Sequence, residues 1–583
     1  MHGFCTDWGQ RMQITAFVRP ESLFMPILAA FGPWDWAVLG AYLLLMLVIG
    51  VVASLREKGT AEFFLGGRSL PTWALAISIV GSSLSAVTFI GAPDAAYVGN
   101  LSYLVLNLGG FIGVFIVGFL FVPKLYRAGT VTIYGYLEQR FGQTSRMAVS
   151  VMFLFGRMLA SGSRLMLAAF PLCLLVFGLQ QPEKWQLMAA ILCVGFMGTF
   201  YTIFGGIRTV IWVDTIQFAL VVGAAVLTIA VLVNKIPASV PEIVSVLSEP
   251  GTAKDGGSKL RLVDLSTDPT KPYTLWTALF GAVFLSVASL GVDQDLAQRF
   301  LVARSPVRGA MSVIASQFVS LAVVSLFVII GVLLYIYYRR PDVMGALAPK
   351  YMPGENQAAY QQFLLMELPP VVSGLAIAGL FASAQGTMDS AINAMASSLV
   401  ADLYWPVRQR LGRPVDPNAP ANAGKIAVAV IGAVMTAFAV ACVYFYDPKQ
   451  KSFLDFALGV MTFAFSGMLG VFLTALLTRR GSTASVLAAL IAGIVVITLL
   501  QDGPMSWWTG WLLGAPIRLA WPWWMPIGTA VTFVTCVAGS PSCRRERIST
   551  PPQTPSPELA ATDPPSASSH QSASAIPTGS GNE

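Results

Sequence analysis

Charge is scarce in this sequence. Lys and Arg number 36 and Asp and Glu 29 among 583 residues, 11% in all, where a soluble domain carries about 25%. Histidine is nearly absent: His2 and His570 stand in the terminal regions, which removes histidine-based catalysis, proton relay and metal ligation from the body of the chain. The cysteines at 5, 173, 193, 442, 536 and 543 show neither metal-ligand spacing nor a disulfide framework. There is no Walker A pattern, no dinucleotide fingerprint in a βαβ context and no HExxH. Uphill work by this chain therefore has to draw on an ion gradient and not on ATP. Two-residue alternation is also missing, which argues against an outer-membrane barrel.

What is present is apolar. Thirteen runs, near 36–54, 72–91, 101–122, 146–178, 186–203, 208–234, 274–292, 309–338, 370–400, 424–446, 455–478, 484–501 and 520–540, are long enough to cross ~30 Å of hydrocarbon at about 1.5 Å per residue. The net charge of +7 is explained by topology and not by nucleic acid. Basic residues such as Arg56, Lys58, Lys124, Arg140, Arg304, Arg408 and Arg479 gather in alternate loops, which predicts an all-α membrane protein with its N-terminus outside and C-terminus inside. Residues 1–35 read as an N-terminal extension without a clean signal peptide. Residues 36–540 form the membrane domain, and 541–583, rich in Pro and Ser, read as a disordered cytoplasmic tail.

Polar residues inside these runs mark candidate sites. The run FASAQGTMDSAINAMASSLVADLY (381–404) places Ser383, Thr387, Ser390 and Ala394 on one helical face, with Asp389 and Asn393 on the next. An Asp in hydrocarbon costs several kcal/mol unless it faces a partner or a wet cavity. This helix either packs through small residues or lines an ion site. In the second run, Gly81-Ser82-Ser83, Ser85 and Gly91-Ala92-Pro93 predict interruptions of the helix, as at transporter sites or at a packing kink. Asp214 and Gln217 open the sixth run, where Asp214 either caps a helix at the cytoplasmic interface or serves an ion route. Asp293 to Ser305 reads as a short cytoplasmic helix that pairs with neighbouring loops. Arg157 and Arg164, seven apart, share a face and either pair with an acid such as Glu138, snorkel, or receive an anion.

Four strings together, SSLSAVTFIGAPDAAY (82–97), GGIRTVIWVDTIQ (205–217), DQDLAQRFLVARS (293–305) and GTMDSAINAMASSLVADLY (386–404), supported by YGYLEQRFG (134–142), resemble the sodium:solute symporter family over about residues 36–480. The resemblance implies a LeuT-type bundle of two inverted five-helix repeats, here about 72–234 and 274–478, with one helix before and two after. It further implies a sodium site built from the backbone carbonyls of Gly81, Leu84 and Ser383 and the side chain at Gly386-Thr387. Many relatives have two hydroxyl residues there, so Gly386 is a departure and only Thr387 supplies a side-chain oxygen. Asp214 matches an acidic residue near the sodium route, and Asp389 offers a second cation or proton site. Thr88 matches a position that often faces solute, and Phe89, Ser390 and Asn393 are candidate neighbours of that solute. Arg157 or Arg164 tilts the solute toward a carboxylate or other small anion.

The expectation is a multi-pass cell-membrane symporter importing a small solute with Na+, not an enzyme, with no cofactor beyond the coupling ion and no nucleic-acid partner. A proton-coupled or uncoupled carrier of the same fold is the alternative, and a membrane sensor another. Hard oxygen ligands, the only kind the named residues offer, suit Na+.

Overall fold

The computed structural model describes residues 31–54, 60–177, 183–349, 352–353, 359–416, 422–444 and 453–540. The tail from 541 and residues 1–30 of the extension lie outside these. Among the described residues, each of the thirteen apolar runs is helical over most of its length. The principal helices are α1 (Pro33–Ser54), α2 (Thr72–Ser83), α3 (Ala86–Val98), α4 (Leu101–Arg127), α5 (Gln143–Phe177), α6 (Lys184–Phe204) and α7 (Ile207–Lys235). Then come α8 (Thr277–Gly291), α9 (Gln294–Leu301), α10 (Pro306–Arg339), α11 (Val372–Ser398), α12 (Asn422–Cys442), α13 (Phe453–Leu477), α14 (Thr483–Leu500) and α15 (Trp524–Val537). No strand occurs among the described residues, only an isolated bridge between Leu70 and Ala303. Among the described residues, by length and hydropathy seven helices can cross a membrane, or up to nine if each bent pair is one span.

The two bent pairs position everything that follows. Between α2 and α3 the chain turns by 70°, where Leu84 (φ −77, ψ 95) and Ser85 (φ −89, ψ 165) leave the helical region. The break therefore comes just after Gly81-Ser82-Ser83, as the sequence predicts. Gly91-Ala92-Pro93, by contrast, stays helical inside α3.

The second bend, 59° between α8 and α9, corrects the reading of 293–305. Asp293 is extended and its side chain accepts from the Asp295 amide, capping α9. All eight residues of α9 are buried, so it is an interior helix after a sharp bend and not a surface helix. Its polar residues face hydroxyls and an acid on α2, α7 and α11 and the Arg157 guanidinium on α5 instead of solvent.

Lys259, from the loop after α7, reaches the C-terminus of α3. Its Nζ donates to the carbonyls of Ala96 (3.2 Å), Tyr97 (2.5 Å) and Gly99 (2.7 Å) and lies 4.4 Å from the centroid of the Tyr335 ring. A cation at a helix C-terminus satisfies carbonyls that have no partner within the helix.

Candidate functional site

The point where α2 unwinds is crossed by α7 and α11. Gly81, in the last turn of α2, lets α7 approach: a Cβ there would lie 3.3 Å from the Asp214 carbonyl oxygen. Gly386 does the same from α11. A Cβ on Gly386 would stand 2.8 Å from Gln217 Oε1, 3.4 Å from the Gly81 carbonyl oxygen and 3.5 Å from Asp214 Oδ1. Three oxygens, two from α7 and one from α2, thus converge on the space that glycine on α11 leaves open. Gln217 Oε1 and Asp214 Oδ1 are buried and have no hydrogen-bond donor. A buried acceptor without a partner costs about 1–3 kcal/mol, and an oxygen-lined gap of this kind suits a hard cation.

Beside this gap, Thr387 is buried, and its hydroxyl donates to the Ser383 carbonyl (3.1 Å), which leaves the hydroxyl lone pairs free to accept. Ser383 is buried one turn above. Leu84 is the residue that ends α2, and its carbonyl follows a non-helical ψ.

The other oxygen of Asp214 has a different environment. Oδ2 accepts from Ser78 (2.5 Å), Ser82 (3.2 Å) and Arg299 (3.2 Å). Arg299, on α9, also donates to Ser82 and Ser390, to Ser78 (3.2 Å) and to Asp295 Oδ1 (2.8 Å). Asp295 in turn pairs with Arg157 of α5, whose second amino group meets Asp293 at 2.7 Å. These five charged side chains are at most 3% exposed. Charges this deep persist only when paired and hydrogen-bonded. Asp214 is therefore not an interfacial cap but the end of a buried ion-pair chain that joins α5, α9 and α7.

Both amino groups of Arg157 are engaged in that chain, while its Nε has no partner. Its partners are Asp293 and Asp295. Glu138 pairs instead with Arg146, which also holds Asp402. Arg164 differs: its Nη2 touches only the Met461 sulfur (2.7 Å), its Nε has no partner, and no ion pair to it exists among the described residues. Ser390 is taken up by Arg299 and by Ser82 (2.8 Å). Asn393 donates to Gln298 (3.2 Å) while its Oδ1 stays unpaired. Phe89 stacks on Tyr360 at 5.5 Å and leans on Phe327 at 4.8 Å, and Thr88 beside it is half-buried.

Asp389 turns away from Gly386 toward α6. Its Oδ1 is 3.4 Å from the Thr202 hydroxyl, and its Oδ2 has no partner. It is fully buried. Among the described residues no group of three or more His, Cys, Asp or Glu forms a metal cluster.

The residues that sequence reading missed are Arg299 and Asp295, placed on a surface helix, and Tyr42 of α1. Tyr42 donates to Gln385 Oε1 (2.8 Å) and accepts from Gln217 Nε2 (3.2 Å). Composition held a signal for Arg299, since α9 lies directly after an apolar run and carries no lysine. Nothing local pointed to Tyr42.

Comparison with known proteins places this geometry. The Sodium:solute symporter family model matches residues 63–493. The chain is 28% identical to the human sodium/iodide cotransporter over 80% of its own length and 69% of that protein's. It is 27% identical to a sodium/sialic acid symporter of Proteus mirabilis, over 81% and 90%. A Xenopus laevis sodium-coupled monocarboxylate transporter is 27% identical over 65% of this chain and 59% of its own. Among solved structures, a substrate-bound, outward-open Na+-coupled sialic acid symporter superposes with a TM-score of 0.70 at 23% identity, covering 87% of this chain and 97% of that one. This likeness establishes the fold, a LeuT-type bundle.

Proposed function

Because the chain belongs to the sodium:solute symporter family and is a Na+-coupled symporter of the cell membrane, we propose that its coupling ion binds where α2 unwinds against α11. The carbonyls of Gly81, Leu84 and Ser383 and the hydroxyl of Thr387 form one part of this site. Asp214 Oδ1 and Gln217 Oε1 supply the oxygens across the space opened by Gly386. The observation that carries this reading is the convergence of three oxygens on Gly386, two of them buried without any donor. Sodium bound there neutralises acceptors that otherwise pay for burial, and it ties the unwound helix to α7 and α11. A solute that binds the same conformation is then favoured by sodium, and by reciprocity favours sodium. Rocking of the bundle around the broken helices delivers both inward.

The solute is a small anion. The relatives named above carry iodide, sialic acid and monocarboxylates. Of the two arginines that favour an anion, Arg164 is the guanidinium without an acid partner among the described residues. Thr88, Phe89 and Asn393 line the solute's side of the same break, and Ser390 links that side to Arg299.

A second reading, proton coupling, rests on Asp389, whose buried carboxyl has one oxygen without a partner. Gradient-driven uptake into proteoliposomes separates the two. Iodide, short monocarboxylates, sialic acid, a sugar and an amino acid are offered under an imposed Na+ or an imposed proton gradient. Uptake of an anion that follows Na+ and collapses in Arg164→Ala supports the account. Uptake that follows the proton gradient without Na+, and is lost in Asp389→Asn, favours the second reading.

A further inference from the structure

We propose that α1, the helix outside the two repeats, positions the coupling-ion pocket, and that Tyr42 decides which end of the Gln217 amide faces it. The inference rests on the sodium reading above.

α1 is tied to α11 at two levels. At its outer end Asp35 Oδ1 accepts from the Val371 amide (2.8 Å), the Ser373 hydroxyl (2.6 Å) and the Gly374 amide (2.9 Å). Val371 sits at φ +72, a conformation that a β-branched residue resists, so the contact holds the start of α11 in a costly geometry. Two turns along, Tyr42 projects from the same helix into the core, 6% exposed.

A tyrosine hydroxyl has one proton to give. Tyr42 gives it to Gln385 Oε1 and can then only accept, so Gln217 must present its NH2 to Tyr42. Its Oε1 consequently points at the space beside Gly81 and Asp214. If the Gln217 amide were reversed, its NH2 would donate to the Gly81 carbonyl or to Asp214 Oδ1. The pocket would then be satisfied without a cation and would repel one. Tyr42 thus keeps the pocket short of donors.

The test uses the purified full-length chain in detergent and Na+ alone as the probe. NaCl is titrated against choline chloride at constant ionic strength, and the rise in melting temperature gives the half-saturating Na+ concentration. Tyr42→Phe, which removes only the hydroxyl, should raise that concentration about tenfold without lowering the melting temperature in the absence of Na+. Gln385→Leu, which frees the Tyr42 proton to turn toward Gln217 Oε1, should move it in the same direction. In a Gln217→Ala background Tyr42→Phe should add less than about twofold.

If Gln217→Ala weakens Na+ while Tyr42→Phe leaves it within twofold, the positioning role is wrong and the sodium site stands. A Tyr42→Phe protein that melts lower at unchanged half-saturation shows a structural role only, and also overturns the proposal. If the unaltered chain gains no stability from Na+ over choline, the sodium reading itself fails and the proposal falls with it.

Discussion

Two regions of this molecule contain buried charge a few ångströms apart, and they treat it in opposite ways. In the chain Arg157–Asp293/Asp295–Arg299–Asp214, each carboxylate faces a guanidinium and the serines Ser78, Ser82 and Ser390 complete the hydrogen bonds. In the gap at Gly386, three oxygens face one another and two have no donor. Asp214 belongs to both, with Oδ2 in the saturated chain and Oδ1 in the gap. A cluster whose charges are all paired is architecture, since it asks for no further ion. An unsatisfied one asks for a ligand, and the chemistry of its atoms says which kind.

The comparison can be broken first at Arg299. Arg299→Met leaves Asp214 and Asp295 buried with less compensation, and should cost about 3–5 kcal/mol of stability, read as a large fall in melting temperature or in the yield of folded protein. A loss below 1 kcal/mol would show that the cluster is not structural. At Gly386 the expectation is reversed. Gly386→Ala puts a Cβ 2.8 Å from Gln217 Oε1, pushes that oxygen aside and fills the gap. Half-saturating Na+ should rise about tenfold, equivalent to ~1.4 kcal/mol, while stability without Na+ changes by less than about 1 kcal/mol. An unchanged Na+ dependence would move the ion elsewhere.

An effect smaller than that at Arg299 is expected far from both regions, at Lys259. Lys259→Met strands three carbonyls at the end of α3 and should destabilise by about 2 kcal/mol. Burial pulls the Lys259 ammonium from 10.5 down to about 8, with Arg339 pressing the same way and Asp255 opposing. Between those values the unfolded chain binds the proton that the folded chain has released. Stability therefore rises with pH from about 8 to 10.5 and is flat below 8. The melting temperature of the parent should climb relative to Lys259→Met across that window. Parallel curves would contradict the assignment.

Much of this was legible in the sequence. Hydropathy located the helices, and the Gly81-Ser82-Ser83 cluster located the first break, because both are local properties of the chain. Gly386 was visible as a departure from the family pattern, although its consequence, an opening onto Gln217, requires the packing of α7 on α11. The second break was not legible. The polar residues of α9 look like those of a surface helix, and only distant partners reveal that they are buried: Arg157 lies 136 residues from Asp293, and Asp214 lies 85 from Arg299. Tyr42 meets Gln385 across 343 residues, and neither residue departs from what an ordinary membrane helix contains.

The most direct test of the central claim is binding of radiolabelled Na+ to the purified protein, comparing the parent with Asp214→Asn. Saturable binding displaced by unlabelled Na+ but not by K+, and weakened at least about tenfold in the variant, is the predicted result. Equal Na+ binding by the two proteins would place the coupling ion outside the Asp214–Gln217–Gly81 gap and contradict the account.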